Sequence, residues 1–181
     1  MDLTQFSSAY FSTLTQITTS LPPTALIDLY HFIFPPKPTR LFLAGNGGSA
    51  AAASHLVCDL QKLGKSVFSL TDNTPLITAI ANDQSFDHIF SSQLQSLSHP
   101  DDRLLVISAS GNSPNIINVL NQAQKHQLAT YSLLGFDGGQ AAKISKSLIV
   151  PSNDYGQVEN CHLIICHLIV SFYRQQKPLF T

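Results

Sequence analysis

The chain has 181 residues, 44% of them hydrophobic and only 12% charged, with a net charge of −1 at neutral pH. That length suits one domain with a substantial core. A near-neutral balance with no run of lysines and arginines excludes the electrostatic footprint of a nucleic-acid binder.

So little charge on an ordinary apolar content predicts surface buried between subunits. Cys58, Cys161 and Cys166 are odd in number and lack CxxC spacing. The sequence therefore predicts no disulfide framework and fits a reducing compartment, the cytoplasm. The opening MDLTQFSSAYFSTLTQ has no cationic segment and no long apolar stretch, so no signal peptide is expected. The longest apolar run, over 161–172, is about half of a membrane span and carries two histidines.

Residues 2–20 and 24–34 read as two helices broken by Leu21-Pro22-Pro23. Phe6, Tyr10, Phe11 and Leu14 form an apolar stripe on the first, which predicts packing on the body or on a partner subunit. Pro35-Pro36-Lys37-Pro38 ends this helical arm (1–38) and leads into the remainder (39–181). There strands over 41–44, 67–70, 104–108, 130–134 and 147–150 alternate with helices over 49–63, 75–81, 86–97, 114–126, 140–145 and 156–174. Such alternation predicts an α/β fold, a parallel sheet with helices on both faces.

In such a sheet ligands bind at the carboxyl ends of the strands. The first strand runs into Gly45-Asn46-Gly47-Gly48-Ser49, where glycines permit positive φ and close approach of the backbone to a ligand. The helix that follows aims its N–H groups at this turn, an anion site with Ser49 expected at or near the N-cap. No Gly-Lys-Ser/Thr follows, so this is not a Walker A loop, and the glycine spacing does not fit a dinucleotide fingerprint. The third strand runs into Ser108-Ala109-Ser110-Gly111-Asn112-Ser113, with Pro114 placed to start another helix. A serine-rich loop is ordinarily a cap and turn. Two hydroxyl-bearing loops at equivalent positions can surround one phosphate with neutral donors.

These loops, together with Asn82-Asp83 and Asp137-Gly138-Gly139, resemble the sugar isomerase (SIS) domain family, in its sedoheptulose 7-phosphate (phosphoheptose) isomerase branch. The resemblance covers nearly the whole chain and implies a five-stranded parallel sandwich with flavodoxin-like order. It further implies a homotetramer with active sites at subunit boundaries, and a sugar phosphate as ligand. Asn46, Gly47, Gly48, Ser49, Asn82, Asp83, Ser108, Ala109, Ser110, Ser113 and Glu159 would bind the substrate. Interconverting a ketose and an aldose through an enediol needs a base and a group to protonate or polarise the carbonyl. His55 and Asp59, four residues apart on one helix, match the family's metal-binding histidine and catalytic glutamate. Asp59 is one methylene shorter than that glutamate. His167 matches the catalytic, metal-binding histidine, and Glu159 stands where the family has a glutamine.

The resemblance thus implies Asp59 and His167 as the catalytic pair, and His55, Asp59, Glu159 and His167 as ligands of zinc or another divalent first-row metal. Spacing alone favours another stripe, Glu159, His162 and Cys166. Glu159 and His167 are about 12 Å apart along a straight helix, so sharing one ion requires both side chains to lean inward. Two other readings stand beside the isomerase. One is a non-catalytic SIS adaptor that associates with the replication initiator DnaA, a branch lacking the acid and histidine at 59 and 167. The other is an isomerase of a different phosphosugar.

Overall fold

The computed structural model describes residues 2–176. Helices α1 (Leu3–Thr19) and α2 (Pro23–Ile33) come first. The Asp2 carboxylate accepts from the Gln5 N–H at 2.8 Å and the Gln5 side chain answers the Asp2 backbone, a capping box that starts α1. Pro23 opens α2 at its first position, where no N–H is needed.

The remainder alternates as β1 (Leu41–Gly45), α3 (Gly48–Lys62), β2 (Val67–Ser69), α4 (Thr74–Asp83), α5 (Ser91–Leu97), β3 (Arg103–Ser108), α6 (Pro114–Lys125), β4 (Ala129–Leu134), α7 (Ala141–Ile144), β5 (Lys146–Ile149) and α8 (Tyr155–Gln176). The helix expected over 86–97 is divided. A 3-10 turn at Phe86–His88 precedes α5 and delivers Ile89 and Phe90 to the core.

The strands form one parallel sheet in the order β2-β1-β3-β4-β5. Side chains alternate between two cores, as the period of two requires. Leu41, Leu43, Leu105 and Ile107 pack with Ile17, Leu29, Leu56 and Ile165 of α1, α2, α3 and α8. Phe42, Ala44, Leu104 and Val106 pack with Ile80, Leu94, Val119 and Ala141 of α4 to α7. Burial on both faces is why β1 and β3 read as continuous apolar runs. The sheet order turns back at β1, between β2 and β3, which places the crevice at the carboxyl ends of β1 and β3.

The apolar stripe of α1 divides its work. Ile17 is buried and Leu14 packs against the core, while Phe6 and Phe11 are 51% and 63% exposed. Tyr10 ties α1 to α8, its hydroxyl accepting from Asn160 Nδ2 at 2.8 Å. No helix among the described residues is long and apolar enough to cross a membrane.

Candidate active site

The first loop turns on Gly47, whose φ of +54° and ψ of −123° lie where side chains are disfavoured. Gly47 is the N-cap of α3, and Ser49 lies buried inside the first turn with no capping bond. Ser49, expected at or near the N-cap, stands two residues beyond it, because the glycine pair tightens the turn and α3 starts earlier. Asn46 is held by a reciprocal amide pair with Asn115 of α6 (2.8 and 2.9 Å), which fixes the first loop to the helix after the second.

The second loop folds on its own hydroxyls. Ser108 Oγ accepts from the Gly111 N–H at 3.2 Å, and Ser110 Oγ from the Asn112 N–H at 3.3 Å. Ser113 precedes Pro114 at the start of α6 and makes no capping bond with its side chain. The 137–139 loop braces this loop from behind. Asn112 Oδ1 accepts from the Gln140 N–H at 2.9 Å, and the Gly111 carbonyl from the Ala141 N–H at 2.9 Å. A Cβ on Gly111 would collide with the Gly138 carbonyl, so the close approach requires glycine.

Together the loops enclose a cavity of about 110 Å³. Asn46 and Ser49 line one side, Ser108, Ala109, Ser110 and Ser113 the other, and Tyr155 and Glu159 of α8 close it. That is below the roughly 300 Å³ of a typical small-molecule pocket, so it suits a single phosphoryl group. A second, more open cavity of about 300 Å³ adjoins it, lined by Gly48, His55, Glu159, Asn160 and neighbours. Glu159 is common to both. Its carboxylate lies against Gly48, where an added Cβ would stand 2.6 Å from Oε1.

Helices α3 and α8 follow strands of the same parallel sheet and run side by side in one direction. Gly48 therefore meets Glu159, His55 meets His167, and Asp59 meets Arg174 further along. His55 Nε2 and His167 Nε2 are 2.7 Å apart. Asp59 Oδ2 lies 3.6 Å from the first and 4.0 Å from the second, and Arg174 Nη2 lies 3.6 Å from Asp59 Oδ1. The two ring nitrogens and a carboxylate oxygen fall within 4.8 Å of one another, an N/O set suited to a borderline divalent cation.

Glu159 does not join this group. The regular helix over 155–176 keeps it two turns from His167, and its carboxylate turns to the start of α3 instead. The four-ligand set expected from sequence is thus present as three. The alternative stripe is not a site either. His162 is fully buried, its Nε2 3.1 Å from the Leu134 carbonyl, and burial lowers its pKa to about 4. Cys166 is buried as well, and burial first, then the charge of Asp59, pushes its thiol up to about 12. Asn82 and Asp83 sit exposed at the end of α4, hydrogen-bonded to each other at 2.8 Å, and line neither cavity.

The SIS domain model matches residues 37–135, more than half of the chain. The chain belongs to the SIS domain family. This SIS domain is 38% identical over 146 residues to a phosphoheptose isomerase of Sulfurimonas denitrificans, covering 76% of the chain and 74% of that relative. It also superposes on the solved phosphoheptose isomerase of Neisseria gonorrhoeae with a TM-score of 0.88 at 27% identity, over 96% of this chain and all of that one. For the structure from Francisella tularensis the TM-score is 0.89, also at 27% identity, over 97% and 100%.

Three residues of the SIS site carried no sequence signal strong enough to be singled out. Asn115 follows Pro114 in the first turn of α6, and Tyr155 opens α8. Arg174, two turns beyond His167, reads from sequence as an ordinary basic residue near a helix end.

Proposed function

We propose that this SIS domain isomerises sedoheptulose 7-phosphate to D-glycero-D-manno-heptose 7-phosphate, supplying heptose for surface glycans. The observation that carries this reading is one continuous tract. The serine cavity shares Glu159 with the adjoining cavity, which reaches His55, the nearest member of the cluster with Asp59 and His167. Phosphate at one end and acid–base chemistry at the other match a substrate whose phosphate is remote from the reacting carbons.

In this reading the hydroxyls of Ser110 and Ser113, with the N-termini of α3 and α6, hold the phosphate. Glu159 accepts hydrogen bonds from hydroxyls of the sugar chain midway. Asp59 and His167 are the proton-transfer pair. One removes a proton from C1 while the C2 carbonyl oxygen is protonated, giving the enediol. Return of a proton to C2, with loss of the O1 proton, gives the aldehyde. His55, Asp59 and His167 would hold zinc or another divalent first-row ion. Such an ion supplies a Lewis acid for the oxygen on which negative charge develops.

The arm 1–38 serves assembly and 39–181 carries the chemistry within one SIS unit. The exposed Phe6, Phe11, Leu168 and Phe172 support a homotetramer with sites at subunit boundaries, and Asn82 and Asp83 then serve a boundary with a second copy. A cytoplasmic location agrees with the substrate and the free cysteines. The imidazole–carboxylate cluster argues against a purely binding role such as the DnaA adaptor.

Turnover of sedoheptulose 7-phosphate by the purified protein tests the proposal. Activity should fall on chelation and return with zinc. Activity on a different phosphosugar alone, or none at all, would overturn it.

A further inference from the structure

At the opposite end of the sheet, the amino ends of β1, β2 and β3 meet in a cavity of about 420 Å³. Leu41, Val67 and Arg103 open those strands and form its floor. The Pro35–Pro38 segment walls one side and the Gly64–Ser66 turn the other. We propose that this cavity binds a phosphate-bearing small molecule, held by Arg103 and Lys65.

Arg103 carries the inference. It is only 7% exposed, yet no carboxylate faces it among the described residues. Its Nε donates to Thr39 Oγ1 at 2.7 Å, and its guanidinium carbon stands 5.2 Å from the Phe32 ring centre. The nearby acids are engaged elsewhere: Asp102 by Arg40 at 2.6 Å, Asp101 by Lys37 at 3.3 Å. Burial without a counter-charge lowers the pKa of the group to about 10. A buried charge left unpaired is costly, so such sites ordinarily hold a counter-charge.

Lys65 adds a second cation without an acidic partner among the described residues. Its ammonium lies 4.8 Å from the Tyr173 ring centre and 5.5 Å from that of Phe34, and the residue lines the cavity. Arg40 also lines the cavity but is neutralised by Asp102. Two cations with no carboxylate partner among the described residues therefore line one concavity in a chain of net charge −1.

The ligand class follows from the donors. A guanidinium fork matches the paired oxygens of a phosphate, and an ammonium adds a point charge beside it. The Thr39 hydroxyl, already accepting from Arg103, keeps its proton free to donate onward. The volume exceeds what a bare ion needs and falls within the range of small-molecule sites. This cavity and the serine cavity lie at opposite ends of β1 and β3, so the two are separate sites.

Backbone amide NMR of the whole protein, titrated with inorganic phosphate as probe, tests the assignment. Two groups of shifts are expected, one over 46–49 and 108–113, the other over 39–41, 64–67 and 103. Lys65→Ala should weaken the second group's affinity about tenfold and leave the first unchanged, in line with the loss of one charge-assisted contact. Arg103→Lys, which keeps the charge but not the fork, should weaken it as well. Shifts confined to the serine loops, or second-group shifts indifferent to Lys65→Ala, would overturn the site while leaving the isomerase reading standing. Absence of shifts at the serine loops would count against the isomerase instead.

Discussion

The Glu159 carboxylate occupies the space that a side chain on Gly48 would need, so the first turn of α3 and the first turns of α8 interlock through a missing Cβ. Gly48 itself does not adopt a positive φ, so the constraint is contact and not backbone strain. Gly48→Ala should leave the fold intact and push Glu159 out of the tract between the two cavities. Displacements of this kind cost up to about a hundredfold in rate. Turnover should drop by roughly tenfold to a hundredfold, with circular dichroism unchanged. A fully active Gly48→Ala would remove Glu159 from the substrate's path.

His167 and His162 share α8 but have opposite fates. His167 should behave as part of the chemistry: His167→Ala should lower turnover by about a hundredfold or more, the range for loss of a general acid–base group. Inorganic phosphate should bind nearly as before, because the serine loops are untouched. Calorimetry beside steady-state kinetics separates the two effects.

The serine loops should govern affinity instead. Ser110→Ala and Ser113→Ala should each weaken sugar-phosphate binding by about 1.5–3 kcal/mol, the value of a hydrogen bond to a charged group. Calorimetry on the double variant is decisive, since unchanged affinity would place the phosphate elsewhere.

His162 should make stability depend on acid. Folded His162 resists protonation down to about pH 4, whereas the unfolded chain takes up the proton near 6.5. The unfolded state thus binds more protons between those values, and stability is lost as pH falls through that window. The loss from this one group amounts to about 3 kcal/mol by pH 4. Urea unfolding of the wild type and His162→Leu at neutral pH and near pH 4 checks it. The variant should lose less stability on acidification, and equal losses would show that His162 is not held neutral.

The order of elements was legible in the sequence because local physics sets it. Proline breaks at 22–23 and 35–38, glycine turns at 45–48 and apolar runs at 41–44 and 104–108 fix where strands and helices start and stop. The pairing of His55 with Asp59 was also legible, since four residues on one helix share a face. Contacts across elements were not. The resemblance already joins His167 to His55, but spacing along α8 favours His162, and only the parallel packing of α3 on α8 gives the reason, because residues on the facing side of α8 reach α3. The same packing took Glu159 out of the imidazole cluster and brought Arg174 onto Asp59, neither of which spacing along one helix can encode. The uncompensated Arg103 is likewise a tertiary fact. From sequence it is one basic residue at the start of a strand, and only the folded chain buries it in a cavity that Lys65 also lines, with Asp101 and Asp102 paired to Lys37 and Arg40 instead.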